Sequence, residues 1–584
     1  MEIIIAEKPR VAMKIANALG KAKKKLYKKK APYYELDHSI IMPAVGHLFS
    51  LSSNAGSDYP VFDVQWKKVY EINKKYYYVK PYIENFEANK EKADNIIVAT
   101  DYDNEGSLIG YNIARFIFTG KKVERMKFST LTANELKKAY NERGDFDYGN
   151  AIAGETRHIV DWFYGINLSR ALMSSLRKAG KYRVMSIGRV QGPTLALAVG
   201  RENEILSFKP EDYYLLFLYA KNAEFSFGKH IKSKEEAERI FNAIGNYGII
   251  NDVDIKKLEI RPLPAFDLTS LQVDAYRIFK ISPSKTLQIA QLLYESSLIS
   301  YPRTSSQQLP PSIGYRNILE SIAKHNDSYS KLVSKILEKQ KLWPSQGKKT
   351  DQAHPAIYPT GQKPDKLSEE ERKIYELILR RFIAAFMDSA IKVETNVLLE
   401  SNGILFKAEG VKIEEQGWLK AVKGLYDLKE KAIADFKKGE KVRIDDKKIV
   451  KERTKPPARY NEASLIKELE KRGLGTKATR AVIVSTLFLR KYLFKQKDGI
   501  HVSALGIAVY RTLADHVPNI LNESLTREIE EDLEEIAKDP NKKDAVIEKA
   551  KAIITDACKA FKERELEIGT TFFDAIRSMR VFSK

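Results

Sequence analysis

The chain has 584 residues, 43% of them hydrophobic and 30% charged, with a formal net charge of +22. That length outgrows one hydrophobic core and asks for roughly three to five lobes, while no run of about 18 apolar residues offers a membrane span. The positive excess is spread along the chain, as in residues 21–30, and points to a polyanionic partner, nucleic acid before an anionic membrane, although part of the lysine fits thermophile-style surface charge.

Residues 2–6 read as a strand buried on both faces, as in a parallel sheet, and not as a signal peptide, because no basic leader precedes the apolar run. Glu7 and Lys8 stand at its C-terminal end, where open parallel sheets hold their ligands, and Pro9 suits the first turn of a helix to residue 19. Residues 95–100 repeat the pattern: a second buried strand, then Asp101, Asp103, Glu105 and Gly106, then an apolar helix to residue 118. Alternating helix and strand signals to about residue 145 make an α/β domain with two acidic corners on one rim. In chain leaving a strand, positions i, i+2 and i+4 share a side, so Asp101, Asp103 and Glu105 are expected to converge, joined by Glu7. Such carboxylates repel one another unless a hard divalent cation relieves them, and Mg²⁺ typically takes one or two carboxylates and several waters. Taken alone, the spacing reads equally well as an acidic cap on the next helix. The matching Glu7–Lys8 corner favours the metal.

Residues 149–206 read as helical and include Arg157, Asp161 and Trp162. Gly188, Arg189, Gln191 and Pro193 resemble a helix start, with backbone N–H groups and Arg189 available to an anion. A plain glycine-rich entry to a core helix is the better reading of that segment by itself. Strand-like runs dominate from 213 to about 260, Pro262 and Pro264 break them, and helices at 269–280 and 283–296 deliver the segment around Tyr301. Pro302 biases Tyr301 toward an extended backbone, in which residues i and i+2 face one side, so the Tyr301 hydroxyl and the Arg303 guanidinium can meet one substrate. The planar fork of Arg303 suits a phosphate, and a phenol, with a pKa near ~10, needs positive charge nearby to attack as phenolate. In isolation a packed tyrosine and a solvated arginine would be the simpler explanation.

Helical signals continue to about 342, followed by a polar linker to 350 and a proline-bounded loop at 351–360. His354 in that loop could donate to a phosphate or shuttle a proton, though a lone loop histidine is more often structural. A helix at 368–390 leads to strands at 392–399 and 403–409, so one β-rich lobe is interrupted by a helical insert. Beyond Pro456 and Pro457 lies an amphipathic helix at 461–472. The Gly473–Gly475–Ala478 spacing formally matches a dinucleotide motif, but it follows a helix and not a strand. Helix, turn, helix and hairpin to Val502 resemble a winged helix-turn-helix able to hold a DNA backbone. The helical tail from 524 carries Cys558, whose solitude excludes intrachain disulfides and any multi-cysteine zinc site and fits a reducing interior. No phosphate-loop motif signals ATP use.

Together these segments resemble the type IA DNA topoisomerases, and among them the archaeal and bacterial topoisomerase III-like members, over nearly the whole chain. Residues 4–9 and 100–106 are similar to that family's Toprim motifs, 186–194, 299–304 and 353–360 to its central motifs, and 473–480 to a later one. The resemblance implies a multidomain α/β and α+β fold that closes into a toroid. Its parts would be a Toprim domain at 1–148, a helical DNA-binding lobe with a winged-helix-like region at 149–210 and 456–584, a β-rich hinge lobe at 211–268 and 391–455, and a helical lobe bearing Tyr301 at 269–390.

It also implies Mg²⁺-dependent, ATP-independent relaxation of negatively supercoiled DNA, with decatenation as a further outcome. One strand is cleaved, a 5′-phosphotyrosyl intermediate forms, another strand passes and the break is resealed. By residue match Tyr301 is the nucleophile, Arg303 holds the scissile phosphate, Lys8 stabilises developing charge and Glu7 assists proton transfer at the leaving 3′-oxygen. Asp101, Asp103 and Glu105, with Glu7 beside them, would hold Mg²⁺. Arg157, Arg189, Gln191, His354, Thr479 and Arg480 would bind DNA, in a cytoplasmic, nucleoid-associated monomer that a helicase could partner.

Two departures stand out. The four-cysteine zinc ribbons of many relatives cannot form here, and Trp162 and Ile166 fall where some bacterial members carry an Arg and a Tyr that read a base. No helicase-type domain is present, which excludes reverse gyrase. Two rival readings remain: a Toprim-type nuclease or primase-like enzyme that nicks irreversibly, and a non-catalytic single-strand binding protein.

Overall fold

The structure, a computed structural model, describes residues 1–581; residues 582–584 of the expected helical tail lie outside the described residues. The N-terminal sheet has seven strands in the order Lys23–Tyr27, Ala31–Glu35, Ser39–Pro43, Glu2–Ala6, Asn95–Ala99, Lys122–Arg125 and Gly144–Asp145. Its central strands are parallel, with Glu2–Ala6 between Ser39–Pro43 and Asn95–Ala99. The apolar runs are continuous because both faces are covered. Ile4, Ala6, Ile97 and Ala99 face one core cluster, and Ile3, Ile5, Ile96 and Val98 face another. Pro9 opens the helix Pro9–Leu19 as expected. The lysine-rich run beyond it, which showed only as charge in the sequence, forms an antiparallel edge hairpin.

A second seven-stranded sheet is antiparallel and uses two distant stretches of chain. Tyr247–Ile260 pairs with Ala390–Ser401, so the chain leaves this sheet, builds a helical insert and returns to it. The expected helix at 368–390 stops at Ala385, and Ala390 already begins a strand. Helices Leu268–Phe279 and Pro283–Glu295 carry Asp267 and Ser282 as side-chain N-caps.

The insert does not stand apart. Leu293, Tyr294, Leu298 and Tyr301 belong to the same apolar cluster as Ile4, Ala6, Phe128 and Leu131 of the first domain. A 31-residue helix, Tyr148–Lys178, anchors the third core together with the C-terminal helices Glu523–Lys538, Lys543–Glu563 and Glu565–Val581. The helical run expected at 149–206 is broken: a second helix, Gln191–Ser207, begins only after an irregular segment. Helices Glu462–Lys471 and Arg480–Leu489 are followed by the hairpin Leu493–Gln496 with Gly499–Val502, the order of elements expected of a winged helix-turn-helix. No helix among the described residues is long and apolar enough to cross a membrane.

Candidate active site

The two acidic corners lie at one level because Ala6 and Ala99 are register partners. Glu7 follows one and Asp101 the other, and the Asp101 N–H donates to Glu7 Oε2 at 3.3 Å. Asp103 caps the helix Asn104–Ile117, its Oδ1 accepting from the Gly106 N–H at 2.8 Å. Burial, and then repulsion from the neighbouring carboxylates, raises Asp101 well above the ordinary range. Burial raises Glu7 too, with Lys8 opposing and Asp103 adding to it.

Tyr301 arrives from the insert, and its backbone N–H donates to the Ser129 carbonyl at 2.7 Å. The side chain is 1% exposed. Its hydroxyl donates to Asp103 Oδ2 at 2.6 Å, and its ring centre lies 4.6 Å from that of His354 and 5.2 Å from that of Tyr294. Burial first, then Asp103 and Asp101, push the phenol well above its usual pKa, so it is a neutral donor in this closed arrangement. Arg303 shares the same field. Burial opposes its charge, but Tyr301, Asp103, Glu7 and Asp101 together raise it. No hydrogen bond or ion pair to Arg303 forms among the described residues, and its Nε is buried without a partner. The guanidinium thus lies among anions without a hydrogen bond to any of them.

Several expectations change at close range. Glu105 does not join Asp101 and Asp103. The strand-like alternation ends at Asp103, which is already the helix cap, and the helical turn swings Glu105 to His47 Nε2 at 2.8 Å. Burial would raise Glu105, but His47, His158 and Arg157 hold it below the usual range. Among the described residues no group of three His, Cys, Asp or Glu side chains is set to hold a metal ion. Asp101 and Asp103 beside Glu7 are oxygen-only donors that repel one another, the kind of set that a water-rich Mg²⁺ takes. Both carboxylates now accept from tyrosines, Asp103 from Tyr301 and Asp101 Oδ1 from Tyr294 at 3.1 Å. Lys8 is likewise engaged, with Glu295 at 2.9 Å.

His354 is neutral: burial and Lys477 hold it down to about 4. Its Nε2 donates to the Tyr102 carbonyl at 3.0 Å, which leaves Nδ1 to accept from the Ser129 hydroxyl at 3.0 Å. Neither nitrogen is free for a phosphate or a proton relay while the insert is docked. Arg189 is not open to an anion either. It donates to Asp161 at 2.9 Å, Glu530 at 2.7 Å and the Thr526 carbonyl at 3.2 Å, while Arg157 takes the other Glu530 oxygen at 2.8 Å. These arginines brace the long helix Tyr148–Lys178 against Glu523–Lys538. Thr479 Oγ1 accepts from the Thr476 N–H at 3.0 Å, and Arg480 Nε donates to the Leu474 carbonyl at 3.1 Å. Of these candidates, Gln191 keeps a buried side-chain oxygen with no partner.

The site also uses residues that the sequence reading passed over. Arg125, fully buried, donates to Thr100 Oγ1 at 2.7 Å and the Asp101 carbonyl at 2.8 Å, propping the acidic corner from beneath. Asp351 ties the His354 loop to Lys477 of the helix-turn-helix and accepts from the Ser305 and Ala353 N–H groups at 2.9 and 3.0 Å. Burial opposes its charge, yet Lys477 and these donors lower it from 3.8 to about 2. A depressed folded-state pKa contributes stability above the unfolded value and loses it as pH falls. Asp351 should therefore contribute about 2 kcal/mol at neutral pH, lost between 3.8 and about 2. Amide exchange at Ser305 and Ala353 reads this directly, and Asp351→Asn, which keeps one acceptor oxygen of the two, should lose the protection of one of these amides at pH 7.

Residues 2–131 match the Toprim domain, and residues 145–548 match a family described as DNA topoisomerase. The chain belongs to the type IA DNA topoisomerases. It is 43% identical over 579 residues to DNA topoisomerase 1 of Methanocaldococcus jannaschii, covering 97% of this chain and 75% of that protein. Against DNA topoisomerase 1 of Pyrococcus horikoshii the figures are 42%, 97% and 85%. Against DNA topoisomerase 3 of Bacillus licheniformis they are 30%, 96% and 81%. The solved structure of full-length topoisomerase I from Thermotoga maritima superposes with a TM-score of 0.75 at 25% identity, covering 95% of this chain and 89% of that one.

In this topoisomerase Gly106 tolerates no side chain, because a Cβ there would lie 2.1 Å from the Asp101 carbonyl oxygen. Gly106→Ala should lose about 3 kcal/mol of stability and most plasmid relaxation, read by thermal melting beside a relaxation assay.

Proposed function

We propose that Tyr301 is the nucleophile with which this topoisomerase breaks and rejoins one strand of negatively supercoiled DNA. The observation that carries this reading is the Tyr301 hydroxyl 2.6 Å from Asp103, beside an Arg303 guanidinium with no hydrogen-bond partner among the described residues. Tyr301 Oη forms a bond to phosphorus as the bond from phosphorus to the 3′-oxygen breaks. The phenol proton leaves toward Asp103, its present acceptor, and the 3′-oxygen gains a proton from Glu7, whose raised pKa favours the protonated form. One phosphodiester replaces another, so resealing needs no ATP. Arg303 and Lys8 offset charge on the phosphoryl transition state. Lys8 does so after leaving Glu295, which rides on the helix Pro283–Glu295 ahead of Tyr301.

Mg²⁺, held by Asp101 and Asp103 beside Glu7, would supply fixed positive charge at the acidic rim. Because the cations of Arg303 and Lys8 are already in the chain, cleavage itself should not need it. In EDTA the wild type is expected to form the covalent adduct on a single-stranded oligonucleotide but not to relax plasmid, with Mg²⁺ restoring relaxation. Absence of any adduct without metal would overturn this division of labour.

We assign the lobes as 1–148, 149–210 with 456–584, 211–268 with 391–455, and 269–390. In this scheme the β-rich lobe is the hinge that lifts Tyr301 from the Toprim rim and opens a toroid to the passing strand. A cytoplasmic monomer acting on supercoiled DNA, with a helicase able to supply single strands, completes this reading.

A further inference from the structure

The Toprim sheet ends in the edge hairpin Lys23–Tyr27 and Ala31–Glu35. Lysine on an edge strand ordinarily blocks unwanted pairing, which accounts for Lys23 and Lys24. Three further features need another explanation. The hairpin turn holds Lys28 and Lys29 at φ 48° and 58°, left-handed positions that favour Asn or Gly. Ala31–Glu35 runs antiparallel to Ser39–Pro43, itself parallel to Glu2–Ala6, so the tip points toward the rim that carries Glu7 and Asp101. It lies three strand spacings, about 15 Å, to the side. The helix Lys80–Ala88 packs against both hairpin strands and against the short helix Lys74–Val79, on which Tyr76, Tyr77 and Tyr78 stand 45%, 56% and 61% exposed.

A run of contacts joins the hairpin to Tyr77, and Tyr76 and Tyr78 pack on each other, ring centres 6.5 Å apart. Lys28 pairs with Glu84 at 3.1 Å, Glu84 lies one turn from Lys80 in the helix Lys80–Ala88, and the Lys80 amino group sits 5.7 Å from the ring centres of Tyr77 and Tyr70. Glu35 and Glu84 are neutralised by Lys25 and Lys28. Lys29, Lys30, Lys74 and Lys75 are exposed and form no ion pair among the described residues, whereas Glu71 is the unpaired acid nearby.

We propose that this surface binds single-stranded DNA beyond the catalytic groove, with the lysines on phosphates and the tyrosine rings stacked on unpaired bases. Protruding rings favour a single strand over a duplex, whose base faces are already stacked. The rim geometry favours DNA over an anionic membrane, because a strand running sideways along the rim that carries Glu7 and Asp101 would reach the hairpin tip. The inference rests on family membership and not on the roles assigned to Tyr301 or Arg303.

The test uses the full chain in two variants, one combining Lys29→Gln, Lys30→Gln, Lys74→Gln and Lys75→Gln, the other Tyr76→Ser, Tyr77→Ser and Tyr78→Ser. Each should weaken binding of a long oligothymidylate about tenfold and leave adduct formation on a short oligonucleotide unchanged. The lysine variant should also lower the salt slope by about 3, and the tyrosine variant should leave duplex binding intact. If either variant melts early, the other carries the test. Unchanged affinity for the long strand would overturn the proposal, as would loss confined to phosphatidylserine vesicles.

Discussion

Tyr301→Phe should abolish both the covalent adduct and plasmid relaxation, a loss of more than about 10³-fold. The variant keeps the ring packed against His354 and Tyr294 and gives up only the hydroxyl that donates to Asp103. Its stability cost should be about 2 kcal/mol, the net worth of one hydrogen bond to a carboxylate. Thermal melting should therefore stay near that of the wild type while activity vanishes, which separates lost chemistry from lost folding. An irreversible nuclease built on the same acidic rim would keep cutting without this hydroxyl.

Arg303→Ala should lower adduct formation about 10³-fold, on the scale of removing a preorganised charge from a transition state. The loss has two sources. The unpartnered guanidinium is the group free to hold two phosphate oxygens, and its charge is also what lowers Tyr301 against burial and the acidic rim. Without it the phenol titrates higher still, so residual cleavage should move to more alkaline pH. Arg303→Lys should restore the pH profile better than the rate, because an ammonium replaces the charge but not the planar fork. Arg303→Lys keeps a positive charge among Asp101, Asp103 and Glu7 and should melt near the wild type, whereas Arg303→Ala leaves those buried carboxylates without it and should melt earlier.

What was legible in the sequence follows from local rules. The apolar runs before Glu7 and Asp101 read as parallel strands because both faces of that sheet are covered. Pro302 made the shared direction of Tyr301 and Arg303 readable. Glu105 departs from the expectation because the period changes from two to 3.6 at Asp103, so strand alternation does not extend the two residues to it. Arg189 looked like an anion site because its partner Glu530 lies 341 residues away. Arg125 was passed over because a charged stretch reads as surface until the corner it supports is seen. The hairpin at 23–35 escaped because an exposed edge strand of lysines shows no apolar alternation.

The most direct measurement is to trap the adduct on a strand labelled on both sides of the break, digest it and sequence the modified peptide. The account predicts a single peptide in which Tyr301 carries the 5′-phosphate of the downstream fragment, with a free 3′-hydroxyl upstream. A label on Tyr294, whose ring lies 5.2 Å away, a 3′-linked product, or a cut strand with no attached peptide would contradict it.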